Sequence, residues 1–472
     1  MYTSYSIKQL DEIFASPRSV YFIGIGGISM SSLAHIAHSH GMKVGGYDRT
    51  ATHLTRNLEA EGVTVYCELD PSHLDVYDVI VYTAAIARDN PELARALECD
   101  AEGTKHCVYR ADFLGYLMSH YKNRIGVSGM HGKSTATSMI SHIFLAAELD
   151  PTIVSGAELS AMGGAYRLGS KENFIMEACE YQDSFLSFTP NIAVVLNIDM
   201  DHPDYFSDLD QIIDSFRRYL AIAGDGHAVV NADCKNVRRA LEGYTGTVVT
   251  FGMEKPADFT AHNITTDHGR AEFDIIKKGE HFAHVKLGVT GRHNIMNALA
   301  SAAAADLCGV APDAVAKGLA SYTGAKRRME LRGSVRGLAT GASVPLYDDY
   351  AHHPTEIRAT LQGALECGYD RVVVVYQPHT FSRTHELLDE FTDVFRDFTK
   401  KGGHLVLADI YAAREVNTFG VSSEQLASHI DGAVYLPNNE AIAEYLKGTL
   451  REGDMLIVMG AGDIIGLDKL LL

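Results

Sequence analysis

The stretch Gly129-Met130-His131-Gly132-Lys133-Ser134-Thr135 constrains this chain more than any other. The run Arg124-Ile125-Gly126-Val127-Ser128 leads into it, and a helical pattern with Met139, Ile140, Ile143 and Phe144 on one face leaves it. A strand, a glycine turn and a Lys-Ser pair at a helix start together make a cradle for phosphate. N–H groups of the turn and the positive end of the helix face the anion, Lys133 adds a full charge, and Ser134 offers a hydroxyl to Mg²⁺. The turn is short: Gly129 stands three residues before Gly132, where G-x-x-x-x-G-K-[ST] places the first glycine five before. A glycine turn with a coincidental Lys-Ser therefore competes with the phosphate reading until the rest of the chain is considered.

A length of 472 residues suggests about three domains of ~150 residues each. A net charge of −19 argues against nucleic acid or an anionic membrane as partner of the whole surface. A small anionic substrate stays open, because a local pocket of cations and helix N-termini can oppose the global field. The seven cysteines are scattered with no C-x-x-C pair, which fits reduced thiols and no zinc site. Met1 to Pro17 has no signal-peptide core, and no apolar run approaches the ~18 residues of a membrane span. A cytoplasmic protein is expected.

Ser19 to Ile23 reads as a buried strand running into Gly24-Ile25-Gly26-Gly27-Ile28-Ser29. A short helix with Met30, Leu33, Ala34 and Ala37 inward follows, and a second strand, Met42 to Gly46, delivers Tyr47-Asp48. A glycine turn with an acid about twenty residues later is a dinucleotide-fold opening, although Ser29 replaces the third glycine. A tight turn and a diphosphate site are both compatible with it. Val79 to Tyr82 is a later strand, with Thr83-Ala84-Ala85 at the edge of the same site, and Gly103 to Asp112 reads as a domain boundary.

The middle region alternates strand and helix to about Tyr322. Phe174 to Glu180 and Ala193 to His202 are apolar strands ending in acids or His, where parallel α/β sheets place ligand groups. His262 to Val289 alternates and reads as an antiparallel excursion, and Asn297 to Ala300 belongs to an Ala-rich buried helix. Tyr322 to Arg328 reads as a hinge. Beyond it, Val344 to Tyr347, Val372 to Tyr376 and Met455 to Met459 have the continuous Val and Ile character of parallel strands covered on both faces. The expected fold is α/β in three domains: a Rossmann-like 1–109, a P-loop-type mixed α/β domain 110–324 and a Rossmann-like 325–472.

A phosphate loop joined by separated acid-bearing strand ends is more specific than either alone. Mg²⁺ takes oxygen ligands and keeps several waters, so Ser134 and Glu177 with nucleotide oxygens can suffice. His202 is an unusual Mg²⁺ ligand on hard–soft grounds; orienting a water or capping a loop is its alternative role.

Seven stretches in order resemble the Mur ligase family: FIGIGGIS from Phe22, GMHGKST from Gly129, NIDMDHPDY from Asn197, GRHNIMNALA from Gly291, RRMELRG from Arg327, DDYAHHPTE from Asp348 and YQPHTFSR from Tyr376. The similarity runs from the first glycine turn to GAGD near the end. It implies a UDP-binding N-terminal domain, a central ATPase domain and a C-terminal domain that brings the amino acid and closes on ATP. The implied reaction phosphorylates the lactyl carboxylate of UDP-N-acetylmuramate with ATP, after which the amine of L-alanine attacks the acyl phosphate.

By this resemblance Gly129 to Thr135, with Asn294, Arg327, Asp349 and Tyr350, meet ATP. Ser134, Glu177 and His202 meet Mg²⁺. Gly24, Gly26, Gly27, Ser29, Asp48, Thr83 and His293 meet the UDP-sugar, while His352, His379 and Arg383 lie near the amino acid. Lys133, His202, His352 and Arg383 carry the catalytic expectation. For a lone residue, loop packing would account for either His and a solvated surface position for Arg383. The sequence also departs from the family pattern. Met130 replaces a Thr, Cys179 and Gln182 replace acids of the E-A-D-E-S-D stretch, and Thr380 stands where relatives often carry Arg. Ile213 to Leu220 offers Arg217 and Arg218 but no Lys for the carbamylated lysine of some relatives.

Three rivals share parts of this pattern. A ligase joining a whole tripeptide to UDP-N-acetylmuramate shares all the motifs. A nucleotide-sugar dehydrogenase uses the first glycine turn but leaves the phosphate loop idle. A non-catalytic UDP-sugar-binding regulator would bind without turning over ATP.

Overall fold

The computed structural model describes residues 5–16, 18–159, 164–202, 205–267, 269–324, 326–336, 338 and 340–472. Met1 to Ser4 and Pro17 of the N-terminal stretch, Pro203 and Asp204 of the acid–His stretch, and Ala325 of the expected hinge lie outside the described residues. The chain forms two compact units: Met1–Ile198 with Ile213–Thr250 and Ala303–Val310, and Asp199–Ile212 with Phe251–Ala302 and Ala311–Leu472.

The first unit contains two sheets. Strands β1 (Ser19–Ile23), β2 (Lys43–Tyr47), β3 (Thr64–Tyr66), β4 (Val79–Tyr82) and β5 (His106–Tyr109) pair in parallel in the order β3-β2-β1-β4-β5. The order reverses between β1 and β4, so the crevice beyond their carboxyl ends is the place for a ligand. Gly24 stands there with φ +83°, a left-handed conformation that glycine adopts without a Cβ clash. The helix Ile28–Ser39 then buries Met30, Leu33, Ala34 and Ala37. Gly103 to Asp112 carries β5, which completes this sheet, and the start of the helix Arg110–Ser119. Four residues, HCVY, are too few to show a period.

In the second sheet of this unit, β6 (Asn123–Ser128) lies between β9 (Asn173–Glu177) and β10 (Ile192–Val195), parallel to both. The antiparallel pair β7 (Thr152–Leu159) and β8 (Gly164–Arg167) extends it beyond β9, and β11 (His227–Asn231) and β12 (Thr247–Phe251) extend it beyond β10. The register sets Glu177 opposite Val127 and Ser128 opposite Val195. The glycine turn, the acid and the segment after β10 therefore share one carboxyl edge.

The second unit holds the antiparallel strands β13 (Phe259–Asp267), β14 (Arg270–Lys277) and β15 (Glu280–Thr290), the excursion read from the alternating segment. It also holds a six-stranded sheet: β16 (Glu330–Val335), β17 (Val344–Asp349), β18 (Arg371–Tyr376), β19 (His404–Leu407), β20 (Val434–Tyr435) and β21 (Asp454–Met459) in the order β16-β17-β21-β18-β19-β20. Only β16 runs antiparallel to its neighbour. The amphipathic helix Leu388–Lys400 places Phe391, Val394, Phe395 and Phe398 on one stripe against this sheet. Each such side chain contributes about 1.5–3 kcal/mol by leaving water. Truncating Phe395 to alanine is expected to cost about 3–5 kcal/mol, read by urea titration, because the neighbours relax only partly into the hole. Among the described residues no helix is long and apolar enough to cross a membrane.

Candidate active site

In the first unit the chemistry gathers after β6. Gly129 takes φ +143°, and a Cβ there would lie 3.0 Å from Leu196 Cβ and 3.1 Å from the Asn197 nitrogen, so the turn depends on glycine for both shape and room. Asn197 clamps the loop: its carbonyl accepts from Met130 N–H (3.2 Å), its Oδ1 from His131 N–H (2.8 Å), and its Nδ2 donates to His131 O (2.8 Å). Gly132, with φ +86°, caps the helix Lys133–Ala146 without a side chain. The N–H groups of the first helical turn have no carbonyl above them within the helix, which is the arrangement that receives an anion.

Lys133 Nζ donates to Gly129 O (2.6 Å) and Met130 O (3.2 Å) and lies 3.0 Å from Glu180 Oε2. Burial works against its charge, but Glu180, with Cys179 and Glu177 beside it, outweighs burial and holds the amine above its ordinary range. Glu180 is 1% exposed. Ser134 Oγ donates to Glu177 Oε2 at 2.9 Å, so two hard oxygens meet at the mouth of the phosphate loop. That donor set fits Mg²⁺.

At the first glycine turn Asp48 is engaged. Its Oδ2 accepts from Gly26 N–H (2.9 Å) and its Oδ1 from Thr50 N–H (3.1 Å), and a Cβ on Gly26 would strike the carboxylate at 2.7 Å. Gly27 precedes the helix that opens at Ile28, and Ser29 Oγ accepts from Arg110 at 2.9 Å. Thr83 follows β4 and accepts from Ile86 N–H through its carbonyl. Arg110 is a half-buried guanidinium lowered by burial, and the sequence reading passed over it. Its signal, a lone Arg at the start of a helix, is indistinguishable in sequence from a surface charge.

In the second unit a compact cluster surrounds Asp201. His202, at φ +53°, donates its N–H to Asp201 Oδ1 (2.7 Å), and Arg383 donates to the same oxygen at 3.3 Å. Burial opposes the Asp201 charge, but His202, Arg383 and His353 hold the carboxyl well below its usual range. His353 accepts from Thr355 N–H through Nδ1 and contacts Met200 O through Nε2 at 3.0 Å, while Thr355 Oγ1 donates to Asp199 at 2.9 Å. Arg383 is 12% exposed, and its Nε is buried with no hydrogen-bond partner among the described residues. An unused donor on a buried guanidinium suits an incoming carboxylate.

His379 lies 3.5 Å from Arg383 and stacks on Tyr411, and the rings of His379 and His352 are 6.2 Å apart. Burial pushes His352 down to about 4 against the pull of Glu356, and burial with Arg383 lowers His379, so both rings are neutral at pH 7. His352 Nδ1 contacts Tyr350 O at 3.0 Å.

Tyr350, 37% exposed, lies beneath the Arg327 guanidinium at 4.9 Å and near that of Arg328 at 5.8 Å. Arg327 also donates to Asp348 and to Gly460 O. Asp349 is committed to backbone: Oδ1 accepts from Ala351 N–H and Oδ2 from Met329 N–H. Burial raises it to about 6 despite Arg328 and those N–H groups. This group binds more protons folded than unfolded between pH ~4 and ~6, so its contribution is present below pH ~4 and lost as pH rises through about 6. The difference in unfolding free energy between the wild type and Asp349→Asn is therefore expected to move against the wild type over that window, measured by denaturant titrations at stepped pH.

His293 and Asn294 open the helix His293–Leu307, where Asn294 Nδ2 donates to Thr290 O at 2.7 Å and Oδ1 accepts from Asn297. The structure thus gathers Lys133, Ser134 and Glu177 in one unit and His352, His379 and Arg383 in the other. His202 belongs with Arg383, through Asp201.

Comparisons with known proteins agree from residue 19 to residue 462. The Mur ligase family catalytic domain matches residues 19–122, the Mur ligase middle domain 127–305 and the Mur ligase glutamate ligase domain 327–462. A UDP-N-acetylmuramate–L-alanine ligase of Clostridium novyi (strain NT) is 44% identical over 460 residues, 96% of this chain and 97% of that protein. The crystal structure of the UDP-N-acetylmuramate–alanine ligase MurC of Thermotoga maritima has the same fold, with TM-score 0.73 and 24% identity over 96% of this chain and 97% of that one. The UDP-N-acetylmuramate:L-alanyl-γ-D-glutamyl-meso-diaminopimelate ligase of Neisseria meningitides is 30% identical, covering 66% of this chain and all of that one, with TM-score 0.59. The chain belongs to the Mur ligase family.

Proposed function

We propose that this chain joins L-alanine to the lactyl carboxylate of UDP-N-acetylmuramate, converting ATP to ADP and phosphate, in peptidoglycan precursor synthesis. The observation that carries this reading is the likeness to alanine-adding ligases over 96% of the chain at 44% identity. The Neisseria tripeptide ligase is 30% identical over 66% of the chain, and a murein peptide ligase of Psychrobacter arcticus is 23% identical over 96% of it, both below the 44% of the alanine-adding relative. A three-domain division at 109/110 and 324/325 and a cytoplasmic location belong to the same proposal.

The chemistry needed is the exchange of a poor leaving oxygen for phosphate. Lys133 exchanges its loop carbonyls for the transferring phosphoryl group and offsets the charge that builds there. First-turn N–H groups and Arg327 add to that electrostatic support, and Tyr350 offers a flat surface to the base. Ser134 and Glu177 would hold Mg²⁺, with His202 at a second metal, and the metal would supply positive charge against the phosphate oxygens. The turn Gly24 to Ser29, with Arg110 behind it, receives the UDP diphosphate, while Thr83, Asp48 and His293 complete the UDP-sugar contacts.

For the amino acid, Arg383 receives the carboxylate through its unused Nε, and neutral His352 and His379 offer acceptor nitrogens to the alanine amine as it loses its proton. Glu177→Gln is expected to raise the Mg²⁺ concentration for half-maximal turnover about tenfold or more while leaving the fold intact, checked by metal titration and circular dichroism.

The deciding experiment offers L-alanine, glycine, L-serine and tripeptide to pure protein with ATP and UDP-N-acetylmuramate carrying oxygen-18 in the lactyl carboxyl. The expected result is an L-alanine adduct by mass and label in the released phosphate. Tripeptide as the sole acceptor would overturn the substrate, and unlabelled phosphate would overturn the acyl phosphate.

A further inference from the structure

A cavity of about 270 Å³ in the first unit is lined by Phe14, Ser16, Arg18, His40, Gly41, Met42, Tyr116, His120 and Lys171. Its position separates it from the chemistry described above. Arg18 and Met42 immediately precede β1 and β2, and Lys171 precedes β9, so the cavity opens at the amino ends of strands whose carboxyl ends carry the glycine turn and Glu177. The helix Ile28–Ser39 runs from the glycine turn to His40, a span of about 18 Å at 1.5 Å per residue.

The lining carries a guanidinium, an ammonium and two imidazoles but no carboxylate, in a chain whose net charge is −19. Arg18 is anchored through Nε to Ile13 O at 2.9 Å and lies 4.0 Å from Asp78. His120 Nδ1 contacts Tyr116 O at 2.8 Å, which leaves Nε2 as the ring's other polar atom. Burial pushes His40 down to about 4, and the nearby Lys171 and His120 act in the same direction. Phe14 stacks on Tyr116 with ring centroids 4.6 Å apart, giving the cavity one apolar wall.

We infer that this cavity is a second anion site, one that takes the phosphate group of a small phosphorylated molecule. Arg18 and Lys171 supply full charges, the His40 and His120 rings line the cavity between them, and the Phe14–Tyr116 wall receives the organic part. Because Arg18 and His40 precede strands of the first sheet and His120 and Lys171 precede strands of the second, an occupant ties Arg18 and His40 to His120 and Lys171.

The competing explanation is that these cations only complement the carbonyl ends of two helices, Ile28–Ser39 and Arg110–Ser119. Equilibrium dialysis of radiolabelled inorganic phosphate and of phenyl phosphate against the full chain carrying Lys133→Ala, which cripples the phosphate loop, separates the two. The expected result is bound phosphate, with a component that weakens about tenfold on adding Lys171→Gln, since an exposed Lys leaves the core and the first glycine turn untouched. Tighter binding of phenyl phosphate would identify an organic phosphate as the occupant, and equal binding the free ion. No binding at millimolar phosphate, or binding indifferent to Lys171→Gln, would overturn the site and leave helix-end complementation as the role of these groups.

Discussion

Lys133→Ala is expected to lower ATP-dependent product formation by about three orders of magnitude or more, while UDP-sugar binding at the first glycine turn survives. On the proposed mechanism, the loss follows from removing a buried positive charge that offsets the transferring group, where preorganised electrostatics act at low dielectric. The same change has a structural cost, because Glu180 is 1% exposed and Lys133 is its ion-pair partner. Breaking such a pair from one side costs about 3–5 kcal/mol. Lys133→Ala/Glu180→Gln is therefore expected to recover part of the stability and none of the turnover. Urea titration and single-turnover phosphate release, run on both variants, check the two halves separately. A double variant that regained activity would remove Lys133 from the chemistry.

Arg383→Ala is expected to lower kcat/KM for L-alanine about 10²- to 10³-fold, mostly through KM, with Arg383→Lys intermediate because an ammonium cannot reproduce the two-pronged guanidinium contact. The partner left behind provides an independent readout. Asp201 is held below the ordinary carboxylate range partly by Arg383, so its stabilising contribution is present above pH ~4 and fades only as pH falls through its lowered value. Without Arg383 that lowering shrinks, and acid unfolding should begin at a higher pH than in the wild type. A change in KM with an unchanged acid transition would mean that Arg383 reaches the substrate without holding Asp201.

The parts of this architecture written in continuous apolar runs were legible in advance. Val79–Tyr82, Arg371–Tyr376 and Asp454–Met459 are buried on both faces and announce themselves. So did the phosphate loop, whose glycines and Lys-Ser pair have a local physical reason. What escaped was either short, as with His106–Tyr109, or polar along an antiparallel edge, as with Glu330–Val335. The site was legible as residue types but not as pairings. Nothing in the sequence says that Asn197 brackets Met130 and His131, the latter 66 residues away, that Glu180 takes Lys133, or that Asp349 spends both oxygens on backbone N–H groups. Those are consequences of strand register, which a one-dimensional pattern does not encode.

The ion pair between Lys133 and Glu180 also bears on how nucleotide enters. On the role proposed for this loop, the carboxylate stands in for the phosphate that Lys133 would receive, so an arriving triphosphate must evict a resident competitor. Measured nucleotide affinity is then a difference between two rival salt links rather than the strength of one. Relieving that rivalry with Glu180→Gln should tighten nucleotide binding even as it loosens the empty protein.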